Sequence, residues 1–293
     1  MNMNIKSTQQ LKKILVPTDF SSASENAIKY SAMLSKESGA TIVLLHVNEL
    51  PAFMTNEQAI VVDYTGLEKE IRTKLEAQKQ ELKAIYGIHQ VVIHTSVGIA
   101  VSEVKAEIEK EGPDIVVMGT KGAHGWREFL IGTQTTRLIE KSGCPMIIVP
   151  EKSNFHIPSK LAFATNFNDH ELQALFLLVE LMKAYHPEIM ILHVAESHDE
   201  KLEEKMMKWF SSQVQSTIPY EKFSFHELHG SSVELALQEF VKSNSVDLLA
   251  TAKRKRNFFD NFTTRSLTKE LAYHGDTPLM VFHVESHSAT PLF

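Results

Sequence analysis

Short apolar runs alternate along this chain with longer stretches in which apolar residues return every three or four positions. Lys13–Pro17 and Thr41–Val47 are near-continuous apolar runs, the pattern of strands buried on both faces. Between them, Ser21–Ser38 has the helical period, with Ser21 placed to cap its start and Gly39 to end it. After a loop containing Pro51 the same reading gives a charged, amphipathic helix near Leu67–Tyr86 and a strand at Val91–Thr95. A helix at Val101–Glu111 and a buried strand at Asp114–Met118 follow. A helix at Gly132–Ser142, stopped by Gly143, and a strand at Pro145–Val149 complete the series. Strands at Leu161–Ala164, Ile189–Val194, Phe223–Leu228, Asp247–Thr251 and Leu279–His283 then repeat it. Strands alternating with helices predict parallel β-α-β units with right-handed crossovers.

The recurrence extends to the residues themselves. Set without a gap against residues 160–196, residues 13–49 share Lys13/Lys160, Thr18/Thr165, Phe20/Phe167, Ala27/Ala174 and Leu34/Leu181. Both copies carry the same tripeptide, Leu45-His46-Val47 and Leu192-His193-Val194. A duplication follows, with domains at 1–150 and 151–293 joined through the polar segment Pro150–Pro158. The 293-residue length agrees, since it is about twice the commonest domain size.

Composition narrows the class of partner. With 43% hydrophobic and 23% charged residues, each half can bury a core. A net charge of −6 gives no overall attraction to nucleic acid or to an anionic membrane, so neither is expected as a partner. The single cysteine, Cys144, excludes an internal disulfide framework and a cysteine-based zinc cluster. No apolar run approaches the roughly 18 residues of a spanning helix, and the polar start lacks a signal-peptide core. A cytoplasmic location is the expectation.

Candidate chemistry gathers between Asp114 and Thr136. Gly119 and Gly122 follow a buried strand, where bare backbone can aim successive N–H groups at phosphate oxygens. Gly132-Thr133-Gln134-Thr135 opens a helix, whose free N–H groups and dipole also favour an anion. Two facing anion sites suit a polyphosphate; the other reading of these glycines is a pair of turns. The stretch is neither a Walker A loop nor a Rossmann fingerprint. Pro17-Thr18-Asp19 ends the first strand, where open parallel sheets hold ligands. Asp19 can accept from a ribose hydroxyl or an adenine amine, and it can equally cap the following helix. Val47 can offer its backbone to an adenine edge or be a core valine.

Pro17-Thr18-Asp19, His46-Val47 and the pattern of Gly119, Gly122, Gly132 and Thr133 together resemble the universal stress protein family, counted as two copies over nearly the whole chain. The resemblance implies an α/β fold: two open, parallel five-stranded sheets in the order 3-2-1-4-5, helices on both faces, of the adenine nucleotide alpha hydrolase-like type. It implies ATP, or AMP or ADP, with or without Mg²⁺. The position matching Asp19 would contact the nucleoside, and that matching Val47 would contact adenine through its backbone. The stretches matching Gly119–Gly125 (Gly119, Thr120, Lys121, Gly122, Ala123, His124, Gly125) and Thr133–Thr135 (Thr133, Gln134, Thr135) would hold the phosphates, with Met118 and Gly132 beside them in the nucleotide site. The two copies are expected to form an intrachain pseudo-dimer through their last strands, and a homodimer of chains is left open.

In the second copy the motif is gone. Gly119 falls on Ala252, Gly122 on Lys255, Gly132 on Arg265, Thr133 on Ser266 and Asp19 on Asn166. ATP is therefore expected in the first half alone. Lys253-Arg254-Lys255-Arg256 reads as a solvated basic turn or as a side-chain anion site for another ligand or an acidic partner; a nucleic-acid contact is a third reading, weakened by the acidic whole and by few aromatics beyond Phe258 and Phe259. His226 and His229 read as ordinary histidines, and neither a metal ligand set nor a catalytic residue is assigned. There is no G-x-S-x-G motif or Ser/His/Asp arrangement. A nucleotide-dependent stress sensor with a protein partner leads; a weak ATPase or phosphotransfer enzyme and a ligand-free scaffold are the alternatives.

Overall fold

The computed structural model describes residues 10–49, 64–120, 143–153, 156–195, 200–230, 232–254 and 276–284. The first half runs β1 (Lys13–Pro17), α1 (Ser22–Ser38), β2 (Thr41–Asn48), α2 (Tyr64–Tyr86), β3 (Val91–Val97), α3 (Ala100–Glu111), β4 (Ile115–Gly119) and β5 (Met146–Val149). The second runs β6 (Lys160–Ala164), α4 (Asp169–Met182), a 3₁₀ turn (Lys183–Tyr185), β7 (Glu188–Val194), α5 (Glu200–Thr217), β8 (Phe223–Leu228), α6 (Val233–Ser243), β9 (Leu248–Arg254) and β10 (Leu279–Val284). The helix expected at Gly132–Ser142 lies outside the described residues.

Each half has the expected strand order, but the sheets are continuous. A single ten-stranded sheet runs β3-β2-β1-β4-β5-β10-β9-β6-β7-β8. All neighbours are parallel except at the centre, where β5 and β10 meet antiparallel. There Leu279 pairs with Ile148, Met280 with Ile147 and Val281 with Met146. Ile147 and Met280 hold the same place in their halves, and the flanking pairs exchange places, which is the signature of an isologous contact. Each last strand thereby satisfies an edge that would otherwise be open and apolar.

The core is two-layered. On one face α1, α2, α4 and α5 cover Ile14, Val16, Ile42, Leu44, Phe163 and Ile191. On the other, α3 and α6 cover Leu15, Val43, Leu45, Val116, Ala162 and Leu192. β1 buries Ile14, Leu15 and Val16 completely, because its neighbours on both sides and both helical layers exclude water from it.

The likeness of the two halves extends to backbone conformation. Gly39 closes α1 at φ 73°, and its counterpart His186 stands at φ 50°. Gly112 closes α3 at φ 56°, and its counterpart Ser245 stands at φ 54°. The second half thus keeps two left-handed turns without glycine, at roughly 1–2 kcal/mol each. Asp114 and Asp247, both expected to begin a strand, instead stand just before one and hold the start of its sheet neighbour, β1 or β6: each Oδ2 accepts two backbone N–H groups, from Lys12 and Lys13 (2.7 and 2.8 Å) and from Ser159 and Lys160 (2.7 and 2.9 Å). Lys253 and Arg254, expected in a turn, continue β9 opposite His283 and Val284.

Candidate functional site

β1 has β2 on one side and β4 on the other, so the strand order reverses at β1 and the carboxyl ends of the three strands splay apart. A cleft of about 250 Å³ opens there. Pro17, Thr18 and Asp19 supply its floor from β1, Leu45 to Glu49 one side from β2, and Met118 and Gly119 the other from β4. Ser24 of α1 and Ala100 and Val104 of α3 complete it.

The loop after β1 is strained and heavily held. Phe20 stands at φ 62°, a region costly to a bulky residue. The Thr18 hydroxyl accepts the Phe20 N–H at 3.2 Å, and the Thr18 N–H reaches the Leu45 carbonyl at 2.8 Å. Asp19 Oδ1 accepts from the Ser21 N–H (3.1 Å) and hydroxyl (2.6 Å). Ser21 in turn caps α1, its hydroxyl accepting from the Ser24 N–H at 3.3 Å. Asp19 is therefore not itself the cap of α1: it holds the capping serine, and it lines the cleft.

His46 stacks on Phe20 with ring centroids 4.6 Å apart. Its Nδ1 lies 2.8 Å from the Thr18 carbonyl, which can only accept, so Nδ1 carries the proton and Nε2 is left as an acceptor. Burial holds the imidazole below its ordinary pKa, against the Thr18 bond and the Asp19 charge, which raise it. Lys74 of α2 lies 5.6 Å above the Phe20 ring. At the mouth, the Glu49 carboxylate accepts the Ala100 N–H at 3.1 Å and caps α3, whose own N-cap residue, Ile99, offers no side-chain acceptor.

Gly119 is small for a reason the sequence did not disclose. A Cβ there would lie 2.4 Å from the Ala23 carbonyl oxygen and 2.5 Å from its carbon. Its bare carbon admits the first turn of α1, while its backbone lines the cleft. Pro17, Thr18, Asp19, Val47, Met118 and Gly119 thus line one cleft. Thr120 follows them, its N–H on the Val149 carbonyl at 3.2 Å. Lys121, Gly122, Ala123, His124, Gly125, Gly132, Thr133, Gln134 and Thr135 lie outside the described residues.

The model of the universal stress protein family matches residues 10–150. Universal stress protein MJ0577 of Methanocaldococcus jannaschii is 30% identical over 160 residues, covering 97% of that protein and 49% of this chain. This chain belongs to the universal stress protein family. Universal stress protein MJ0531 of the same organism is also 30% identical, over 51% of this chain and 88% of its own length. A solved universal stress protein from Archaeoglobus fulgidus shares the fold across 94% of this chain and 97% of its own, with 19% identity and a TM-score of 0.69.

Within this universal stress protein the second half repeats the loop but sets buried carboxylates against it. Phe167 repeats the strained conformation at φ 61°, its nitrogen on the Thr165 hydroxyl at 2.9 Å, its ring 4.0 Å from His193. The His193 Nδ1 again meets a threonine carbonyl, at 3.0 Å from Thr165, but its Nε2 is met by buried Glu203 at 2.9 Å. At the place of Ser24 stands buried Glu171. Its Oε2 accepts from the Thr165 hydroxyl (2.6 Å) and from the N–H groups of Asn166 (2.9 Å) and Asn168 (3.1 Å). Sequence reasoning missed Ser24, His46, Glu49, Ala100 and Val104 as cleft residues. The signals available were the Leu-His-Val repeat, the serine-to-glutamate change and an apolar i, i+4 pair opening α3.

Proposed function

We propose that this chain binds an adenine nucleotide, ATP in the first instance, in the cleft at the ends of β1, β2 and β4. The observation that carries the reading is the meeting of Asp19, the Val47 backbone and Gly119 at the point where strand order reverses. About 250 Å³ lies near the lower end of small-molecule sites, roughly 300–1,000 Å³, and suits the nucleoside portion. The phosphates, with any Mg²⁺, are then assigned to the segment beginning at Thr120–Lys121 and to Gly132–Thr135. The second half is left without nucleotide, since the Glu171 carboxylate replaces a serine hydroxyl and Asn166 replaces Asp19.

In this reading residues 1–150 and 151–293 are two domains forming an intrachain pseudo-dimer across β5 and β10. Bound nucleotide favours one conformation, and a protein partner in a stress response reads it; the differential affinity of ATP for the two states supplies the switch. Titration calorimetry with ATP, ADP and AMP, with and without Mg²⁺, tests the proposal. One ATP per chain is expected, and Asp19→Asn, which installs the residue of the second half, weakens it about tenfold or more. Absence of binding by all three nucleotides, or equal affinity in the variant, overturns the assignment. ADP accumulating in the ATP sample would place a weak ATPase ahead of a sensor.

A further inference from the structure

Each half of the chain serves as a control for the other, and one cluster fails to match. His94 in β3 and His226 in β8 hold equivalent places: Val91 pairs with Ile42 as Phe223 pairs with Ile189. Carried into the next helix, Glu107 falls on Phe240 and Glu111 on Asn244. In the second half the histidine packs on an aromatic ring, with His226 and Phe240 centroids 5.0 Å apart. In the first half the histidine meets carboxylates. His94 Nδ1 contacts Glu107, and a ligand atom of each of His94, Glu107 and Glu111 lies within 4.8 Å of the others.

The fold does not require those carboxylates, since its own second copy fills the place with phenylalanine. Burying Glu107 is unfavourable unless something compensates. Lys13 pairs with the Glu111 carboxylate, Nζ to Oε2 at 3.0 Å, but the lysine has a place of its own in the fold. Its Nζ sits 2.7 Å from the Glu111 carbonyl, and its counterpart Lys160 sits 3.3 Å from the Asn244 carbonyl, so both lysines close a helix end whatever side chain stands there. Lys110 reaches Glu107 at 3.3 Å and Glu111 at 3.8 Å, but from an exposed position. A long exposed lysine leaves such a pairing at little cost.

We propose that His94, Glu107 and Glu111 bind a divalent transition-metal cation, with zinc the best match. An imidazole nitrogen and two carboxylates one helical turn apart make a mixed N/O ligand set with a position left for water. Nδ1 of His94 is the ligand atom, and its proton resides on Nε2 when metal is bound. Because α3 lines the cleft with Ala100 and Val104 and carries these ligands at its far end, the cation pins α3 to the edge strand β3 away from the cleft.

The test uses the full chain without nucleotide, so it is independent of ATP binding. Zinc chloride is titrated by calorimetry, and bound zinc is counted after equilibrium dialysis, in wild type, Glu107→Phe and Glu111→Gln. One zinc per wild-type chain is expected, with a melting temperature that rises with zinc. Each variant is expected to weaken binding by more than about tenfold with an unchanged circular dichroism spectrum. Glu111→Gln alters a partly exposed side chain and carries the test if Glu107→Phe does not fold. No zinc taken up by wild type, or wild-type affinity in a folded variant, overturns the site.

Discussion

His193 is held at both ring nitrogens, 3.0 Å from the Thr165 carbonyl and 2.9 Å from Glu203, whereas its counterpart His46 makes the carbonyl contact and turns its other side toward the cleft. Burial lowers the His46 pKa from 6.5, so the folded protein prefers neutral imidazole. As pH falls through about 6.5 the unfolded chain takes up the proton first. The stability contributed by neutral His46 is whole above that value and is lost as pH falls through the folded-state value. Urea denaturation at about pH 7.5 and pH 5.5 should show wild type losing more stability on acidification than His46→Gln. The other histidines are common to both proteins and cancel in the difference. Equal losses would refute the assignment.

Gly119→Ala tests the contact with α1. The added methyl must displace backbone at Ala23, not the end of a flexible side chain. Overpacking of this kind costs about 1–3 kcal/mol. A lower urea midpoint at unchanged slope is expected; a neutral result would mean that α1 shifts freely.

Glu171→Ala removes the acceptor shared by the Thr165 hydroxyl and two backbone N–H groups. Orphaned buried donors and a lost cap together predict a loss of about 1–3 kcal/mol. Ser24→Ala in the first half removes a hydroxyl that receives from Thr18 at 3.2 Å and donates to the Ser21 carbonyl at 2.9 Å, and should cost less. The reverse order, read from paired denaturation curves, would contradict the reading of Glu171 as the anchor of the second loop.

Ser245→Gly relieves a left-handed residue at φ 54°. The gain from the turn is partly offset by the greater freedom of glycine in the unfolded chain, leaving up to about 1 kcal/mol of stabilisation. Gly112→Ser, the converse change, should destabilise by a similar amount, and a thermal scan of the two variants checks both signs.

Much of the fold was legible because periodicity and duplication reinforced each other. The run from Lys13 to Gly39 was read with its cap and its stop, and strand boundaries elsewhere moved by a few residues. What escaped were relations between distant segments. The meeting of the last strands is expected from the family resemblance alone; that it is antiparallel and joins two sheets into one is reported by no local pattern, because the segments lie far apart in the chain. From the sequence the small size of Gly119 points to a ligand, because a sequence cannot show that Ala23 lies against it. Glu171 drew no notice as one acid in a helix, until three donors were found converging on it.

The antiparallel seam has an evolutionary corollary. A protein made of one such unit must meet a second molecule to cover that edge, so its assembly follows concentration, and every alteration appears in both members of the pair. Here the mate is supplied by the same polypeptide, at an effective concentration set by a short connection. The contact is freed from dilution, and the two surfaces it joins are freed from being identical.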